Sequence, residues 1–250
     1  MNSSNDIIIK DEKSSFYFKY LEWDSNFFNK KSFLLDIEKS NLISSINIKN
    51  EINKKLKDSF ISVKLDTNLN YEIASFLQDC GFYYIDTEVV LEFSNTIKPK
   101  LNLRDNLKIE KLNINKNLPY EELGSAFTLT RFHTDLNIDN SLADFLWINY
   151  IKNYKPSEDK YIFIAKINEE ITGAILVNVN ENIATLFFVV VLEKYRTLGI
   201  GKELIFNVIN YFNGYVLRTE TQIKNIKALN FYIKSGFNTI KNTSTVLHRW

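Results

Sequence analysis

"YRTLGIGKEL", residues 195–204, follows the wholly apolar run "LFFVVVL" at 186–192 and opens a helical pattern. Its skeleton is Arg196-x-x-Gly199-x-Gly201. Glycines at such a turn let the backbone take positive φ and come close to a ligand. The amides of Thr197, Leu198, Gly199, Ile200, Gly201 and Lys202 can then converge at the positive end of a helix dipole. That arrangement suits an anion, and a pyrophosphate best. Arg196 and Lys202 add positive charge. The stretch is not a P-loop, which needs Gly-Lys-Ser/Thr. No third glycine completes a Rossmann fingerprint. The plainer reading is a loop with a convenient helix start.

Working outward, Leu204, Ile205, Val208, Ile209 and Phe212 form an apolar stripe at helical spacing. Upstream, "YIFIAKI", "AILVNV" and "IATLFFVVVL" are read as a β-meander. Downstream come a strand "YVLRTE", a helix over 225–235 whose apolar stripe is read as Ile226, Leu229 and Ile233 with Tyr232 at its flank, and a strand "STVLHRW". "YEELGSAFTLTRF" and "SLADFLWINYIKNY" are expected to be two helices around the turn "HTDLNIDN". Residues 16–37, holding "LEWDSNFF", read as strand, turn and strand. Around Pro99 the apolar periodicity stops. The expected organisation is therefore a smaller domain at 1–95, a linker at 96–106 and a second domain at 107–250.

Composition sets outer bounds. A chain of 250 residues with 45% apolar and 14% aromatic side chains can bury a real core. A net charge of +1 provides no global field for nucleic acid or anionic lipid. One cysteine, Cys80, excludes an internal disulfide framework and suits a reducing compartment. With only two histidines beside it, no metal site is expected. The segment "MNSSNDIIIKDEK" has no signal pattern, and the longest apolar run is too short for a bilayer. A cytoplasmic location is the expectation.

The chain also echoes itself. Aligning Gly81 with Gly236, an offset of 155, needs no gap from 60 to 86 and pairs "IASFLQDCGF" with "ALNFYIKSGF". It sets Phe60 against Tyr215, Asn70 against Asn225 and Leu77 against Tyr232. The first half has nothing like "RTLGIG". Features common to both halves are read as architecture, and those confined to the second as candidates for chemistry.

A strand ending before R-x-x-G-x-G, then an amphipathic helix, a strand and a helix carrying Asn225 and Tyr232 together resemble the GNAT acyltransferases. The resemblance implies an α+β (α/β) fold: a mixed, mostly antiparallel sheet flanked by helices, preceded here by a partial GNAT-like domain. It implies acetyl-CoA as cosubstrate, with its pyrophosphate on the 196–202 loop and its arm against the main chain of Val189 and Val191. Tyr232 takes the place of the general acid toward the thiolate leaving group. Asn225, seven positions earlier on one helical stripe, is a cofactor ligand, a helix cap, or both. Glu220 acting through water, His133, or direct solvent relay are the candidates for accepting the amine proton. "LEWDSNFF", "TRFHTD" and "TQIKNIKALNFYIKSGF" extend the resemblance to GNAT enzymes that acetylate the 4-amino group of TDP-linked sugars. By that resemblance Arg131 pairs with a phosphate, while His133 and Asp135 meet sugar hydroxyls. The partner is then a nucleotide-linked amino sugar, and the terminal strand is a possible edge for a homodimer. Two competing readings are a GNAT enzyme acting on a peptide amine and a silent acyl-CoA-binding module.

Overall fold

The computed structural model describes residues 5–11, 14–39, 46–67, 71–94, 106–113 and 118–250. The chain packs into two units, one of Met1–Glu88 with Thr243–Trp250 and the other of Val89–Asn242. The linker expected at 96–106 lies, apart from Asn106, outside the described residues.

The first unit runs β1 (Ile7–Lys10), β2 (Ser15–Tyr20), α1 (Glu22–Phe28), β3 (Ser32–Lys39), α2 (Ile46–Lys55), β4 (Phe60–Asp66), α3 (Tyr71–Asp79) and the start of β5 (Tyr83–Glu92). The expected turn within "LEWDSNFF" is in fact the helix α1. Ser25 secures it, donating to Leu21 O at 2.7 Å and accepting from the Ser32 N–H at 2.9 Å. Its strands follow the order β1-β2-β3-β4, with β11 (Thr239–Arg249) next. Residues Ser244 to Arg249 of β11 pair antiparallel with Asp66 to Ile61 of β4. The terminal strand is therefore interior, not the free edge expected for a dimer. Ile61, Val63, Leu65, Ile73, Leu77 and Leu247 share one core with Ile52 and Leu56 of the α2 segment.

The second unit contains β6 (Leu107–Leu112), α4 (Tyr120–Ser125), α5 (Arg131–Thr134), α6 (Asn140–Asn153), β7 (Lys160–Ile167), β8 (Glu170–Asn180) and β9 (Ile183–Val191). A 3-10 turn at Glu193–Tyr195, α7 (Ile200–Tyr211), β10 (Val216–Gln222) and α8 (Ile226–Lys234) follow. Its strand order is β10-β9-β8-β7-β6, with the end of β5 beside β10. β7 through β9 form the expected antiparallel meander, and β6 extends it by one strand. Leu204, Ile205, Val208 and Ile209 of α7 pack on one face, and Leu123, Ile151 and Phe188 build a core on the other.

Two local readings need correction. "YEELGSAFTLTRF" is not one helix, because α4 stops at Ser125 and α5 begins at Arg131. Gly124 presses on α6, where a Cβ would lie 2.5 Å from Ile148 Cγ1, so the two segments are placed by packing and not by periodicity. On α8, Ile226 and Ile233 do not form the buried stripe; they are 58% and 49% exposed. The buried side chain of α8 is Tyr232, and Ser235 is buried just past its end.

Candidate active site

The site is built on a fork between two parallel strands. β10 pairs with β9 over four rungs only, Val216↔Ile183 to Thr219↔Leu186, although both strands continue. The cause lies in β9 itself. Its register against β8 shifts between Leu176 and Val177, leaving Phe187 as an extra residue. Such a bulge bends and overtwists its strand. Phe187 and Phe188 consequently pack toward the same core, while Leu186 and Val189 pack toward the opposite one.

The bend opens main-chain groups. Leu192 N–H donates to Thr172 O at 2.9 Å, so that opposed pair is hydrogen-bonded. Antiparallel ladders alternate bonded and non-bonded pairs. The N–H groups of Val189 and Val191 therefore turn away from β8, toward the side that β10 has left. Their side chains pack against the α7 core, as a buried strand requires.

At the open end sits the glycine loop. Gly199, with φ of 80°, is the α7 N-cap residue, and Thr197 also has positive φ, at 68°. The first-turn amides of Ile200, Gly201 and Lys202 have no acceptor within their own helix. Gly201 sits in tight space, since a Cβ would lie 3.1 Å from Phe231 Cζ and 3.4 Å from Val191 Cγ2. Leu198 and Lys202 are exposed, and Lys202 Nζ lies 5.2 Å over the Phe206 ring. Arg196 works partly as a strut: Nε donates to Val191 O at 3.0 Å and Nη2 to Ala126 O at 3.4 Å. The open amides, the two cations and the fork fit an extended, anion-ended ligand.

Tyr232 reaches the closed end of the fork. It is 6% exposed, and its hydroxyl lies beside the Thr219 side chain on the last rung. Burial pushes the phenol up to about 12, the Thr219 side chain acting in the opposite direction. Thr219 Oγ1 bonds Leu186 O at 3.0 Å. Neither Thr219 nor this link is marked by any sequence motif, because a threonine in a strand reads as ordinary β structure.

The alternation of β10 buries Leu217, Thr219 and Thr221 toward one face. Glu220 points to the other, with Arg218, which pairs with Glu92 at 3.1 Å. Tyr232 and Glu220 thus lie on opposite faces of the same strand. Asn225 is the α8 N-cap, its side chain accepting from the Ala228 N–H at 3.2 Å.

The "TRFHTD" residues form a tight corner. His133 is engaged at both ring nitrogens, Nδ1 with Thr130 Oγ1 at 2.8 Å and Nε2 with Asp144 Oδ1 at 3.0 Å. Trp147 Nε1 donates to the same Thr130 oxygen at 3.3 Å. With both nitrogens engaged, His133 orients α5 on α6 in this conformation. Asp135 is 1% exposed and accepts from the Asn137 backbone N–H at 3.0 Å, which makes it a turn residue. Arg131 is half-buried with its guanidinium 4.8 Å from the Phe132 ring centre. Lys224 donates to Thr134, tying the β10–α8 loop to α5.

A forked parallel pair with a glycine-opened helix at its mouth and a tyrosine at its closed end defines the GNAT class of fold. A family model described as Acetyltransferase (GNAT) family matches residues 125–237, all within the second unit. No curated protein matches the chain. Among solved structures, a conserved protein of unknown function from Staphylococcus epidermidis is similar over 100% of this chain and 95% of its own, with 15% identity and TM-score 0.65. A GCN5-related N-acetyltransferase from Sphaerobacter thermophilus aligns over 95% of this chain and 80% of its own, at 10% identity and TM-score 0.65. A tandem GNAT protein from the clavulanic acid biosynthesis pathway aligns over 97% and 81%, at 11% identity and TM-score 0.58. These likenesses establish the GNAT fold, an α+β mixed sheet flanked by helices.

Proposed function

We propose that the chain is an acetyl-CoA-dependent N-acetyltransferase whose acceptor is the amine of a nucleotide-linked amino-dideoxy sugar, with TDP as the nucleotide. The observation that carries the transfer chemistry is the fork, with open Val189 and Val191 amides along one side and the Tyr232 hydroxyl at its closed end. The acceptor class rests on the sequence features shared with TDP-fucosamine acetyltransferases. Surface glycan synthesis is the corresponding use of the product.

In this reading the loop amides at 197–202 hold the pyrophosphate, with Lys202 and Arg196 neutralising its charge. The neutral amine attacks the thioester carbonyl directly in a ternary complex, forming C–N and breaking C–S. The Val189 N–H donates to the carbonyl oxygen as negative charge develops there. The amine proton leaves through water to Glu220 on the opposite face of β10, or to solvent. Tyr232 donates to the departing sulfur. Its phenol, raised to about 12, is protonated at any working pH. Complete transfer to a thiolate of ordinary pKa near ~8.5 is uphill, so the hydrogen bond to sulfur carries much of the effect. Arg131 pairs with a sugar-nucleotide phosphate.

Thiol release from acetyl-CoA, followed with TDP-4-amino and TDP-3-amino sugars and with free peptide amines, tests the proposal. Acetylation of a TDP-amino sugar, seen by mass spectrometry, is the expected result. Turnover of peptide amines alone would replace the acceptor class, and binding of acetyl-CoA with no transfer to any amine would remove the enzymatic reading.

A further inference from the structure

The first unit contains the same fork without the hydroxyls. β3 and β4 are parallel and pair over four rungs, Ser32↔Phe60 to Leu35↔Val63, although both strands continue. Matching the last rungs sets Val63 against Thr219 and Leu35 against Leu186. The helices then match as Tyr71–Asp79 against Ile226–Lys234, which sets Leu77 against Tyr232. At the closed end, Val63 and Leu77 of the first unit thus give way to Thr219 and Tyr232 in the second. All four side chains are buried: Val63 is 1% exposed, Leu77 0%, Thr219 0% and Tyr232 6%. Packing is satisfied by an apolar pair in one unit, so the two hydroxyls of the other need a different reason. Val and Thr have nearly the same shape but differ in what their buried γ-atoms require.

We propose that Thr219 is a positioning residue for Tyr232, holding the phenol at the fork and turning its own hydroxyl to the phenol oxygen as that oxygen loses its proton. In the resting state Thr219 Oγ1–H donates to Leu186 O at 3.0 Å. With that proton engaged, the threonine oxygen is left, in this proposal, to accept from the neighbouring Tyr232 O–H and so to fix the phenol in one orientation. When the sulfur takes the tyrosine proton, the Thr219 O–H rotates from Leu186 O to the phenolate. The proton count closes: one proton passes from tyrosine to sulfur, and threonine keeps its own. The rotation leaves a main-chain carbonyl for a charged acceptor, and hydrogen bonds to charged groups are the stronger ones. Thr219 thereby makes a phenol weakened as an acid by burial a better donor. The inference rests on the role of Tyr232 proposed above.

The test is a double-mutant cycle of Thr219→Val and Tyr232→Phe, with Thr219→Ser as the conservative variant. Thr219→Val should lower kcat about tenfold, leave the KM for acetyl-CoA unchanged, and be largely rescued by Thr219→Ser. In the Tyr232→Phe background, Thr219→Val should add nothing. An equal loss in both backgrounds, or no loss in either, overturns the inference. Full activity of Tyr232→Phe alone instead removes the proposed acid. Thr219→Ala serves if the valine variant fails to fold. A readout independent of any acceptor is the ¹³Cζ resonance of ring-labelled Tyr232. It should move on Thr219→Val and return with Thr219→Ser, and an unmoved resonance also overturns the inference.

Discussion

The two forks share a geometry and differ in chemistry. In both, a parallel pair is held for four rungs and then released, and a helix ending in a glycine of positive φ follows. Gly81 and Gly236 have φ of 87° and 100°, and in each unit the next residue donates back to the helix, Phe82 to Leu77 O and Phe237 to Tyr232 O. This is the Schellman closure, and it places residues 77 and 232 alike. The first unit fills the fork with Val63 and Leu77, while the second places hydroxyls there and carries the glycine loop at its mouth. A fork is therefore a property of the architecture. What distinguishes the second fork is the set of polar groups at its two ends.

The comparison breaks most visibly at its one hydroxyl with a proposed role in bond breaking. Tyr232→Phe should lower kcat roughly a hundredfold or more with little change in the KM for acetyl-CoA. Near-normal thiol release would reduce the second fork to the status of the first. Leu77→Ala makes the reciprocal case. A cavity at a fully buried leucine should cost about 2–5 kcal/mol in a urea melt. Turnover measured well below the transition should be retained, and a kcat loss as large as that of Tyr232→Phe would give the first unit a direct part in the chemistry. Asn225→Ala should cost about 1 kcal/mol by removing a helix cap. A tenfold rise in acetyl-CoA KM at unchanged stability would mark that side chain as a ligand instead.

The smallest expected effect is a null one, read from pH. Burial holds the Tyr232 phenol up at about 12, above the ordinary value near ~10. A group raised on folding contributes stability fully below its unfolded pKa and loses it as pH climbs through its folded one. The Tyr232 contribution should therefore be constant up to about pH 10 and decline from there toward 12. Any alkaline limb in kcat below pH 10 should persist unchanged in Tyr232→Phe. A limb that disappears in that variant would show a phenol titrating much lower than its burial implies.

Much of this is legible in the amino-acid sequence itself. Glycine, proline and apolar period mark element ends well, so the meander, α7, α8 and the glycine loop fall where "YRTLGIGKEL" and its neighbours put them. The internal echo is equally sound through the helices but slips in the strands. Phe60 is matched by Val216, not Tyr215, because four residues separate β4 from α3 and three separate β10 from α8. A loop absorbs one residue without altering any pattern, yet in a strand one residue exchanges the faces. Under the gapless alignment Thr219 faces Lys64, and the Val63–Thr219 relation is hidden. Asn70, the expected match of Asn225, lies outside the described residues. On α8, periodicity supplies relative angles and not which side is buried, so Ile226 and Ile233 outweighed Tyr232 by hydrophobicity alone. The setting of His133 is hidden from the sequence for a related reason: its two partners, Thr130 and Asp144, come from different turns of the chain, and only the packing of α5 on α6 brings them to it.

The membership of the units has a temporal consequence. The first unit includes Thr243–Trp250, and Leu247 is part of its core. A ribosome adds about 5–20 residues per second, and amino-terminal domains usually fold as they emerge. Here the first unit lacks an interior strand until residues 243–250 have been made, by which time the second unit is nearly all synthesised. β4 must wait with one side open, an unpaired edge of the kind that recruits wrong partners. Nascent chains stalled before residue 243 should thus be protease-sensitive across 60–66, and emergence of residues 243–250 should close that window.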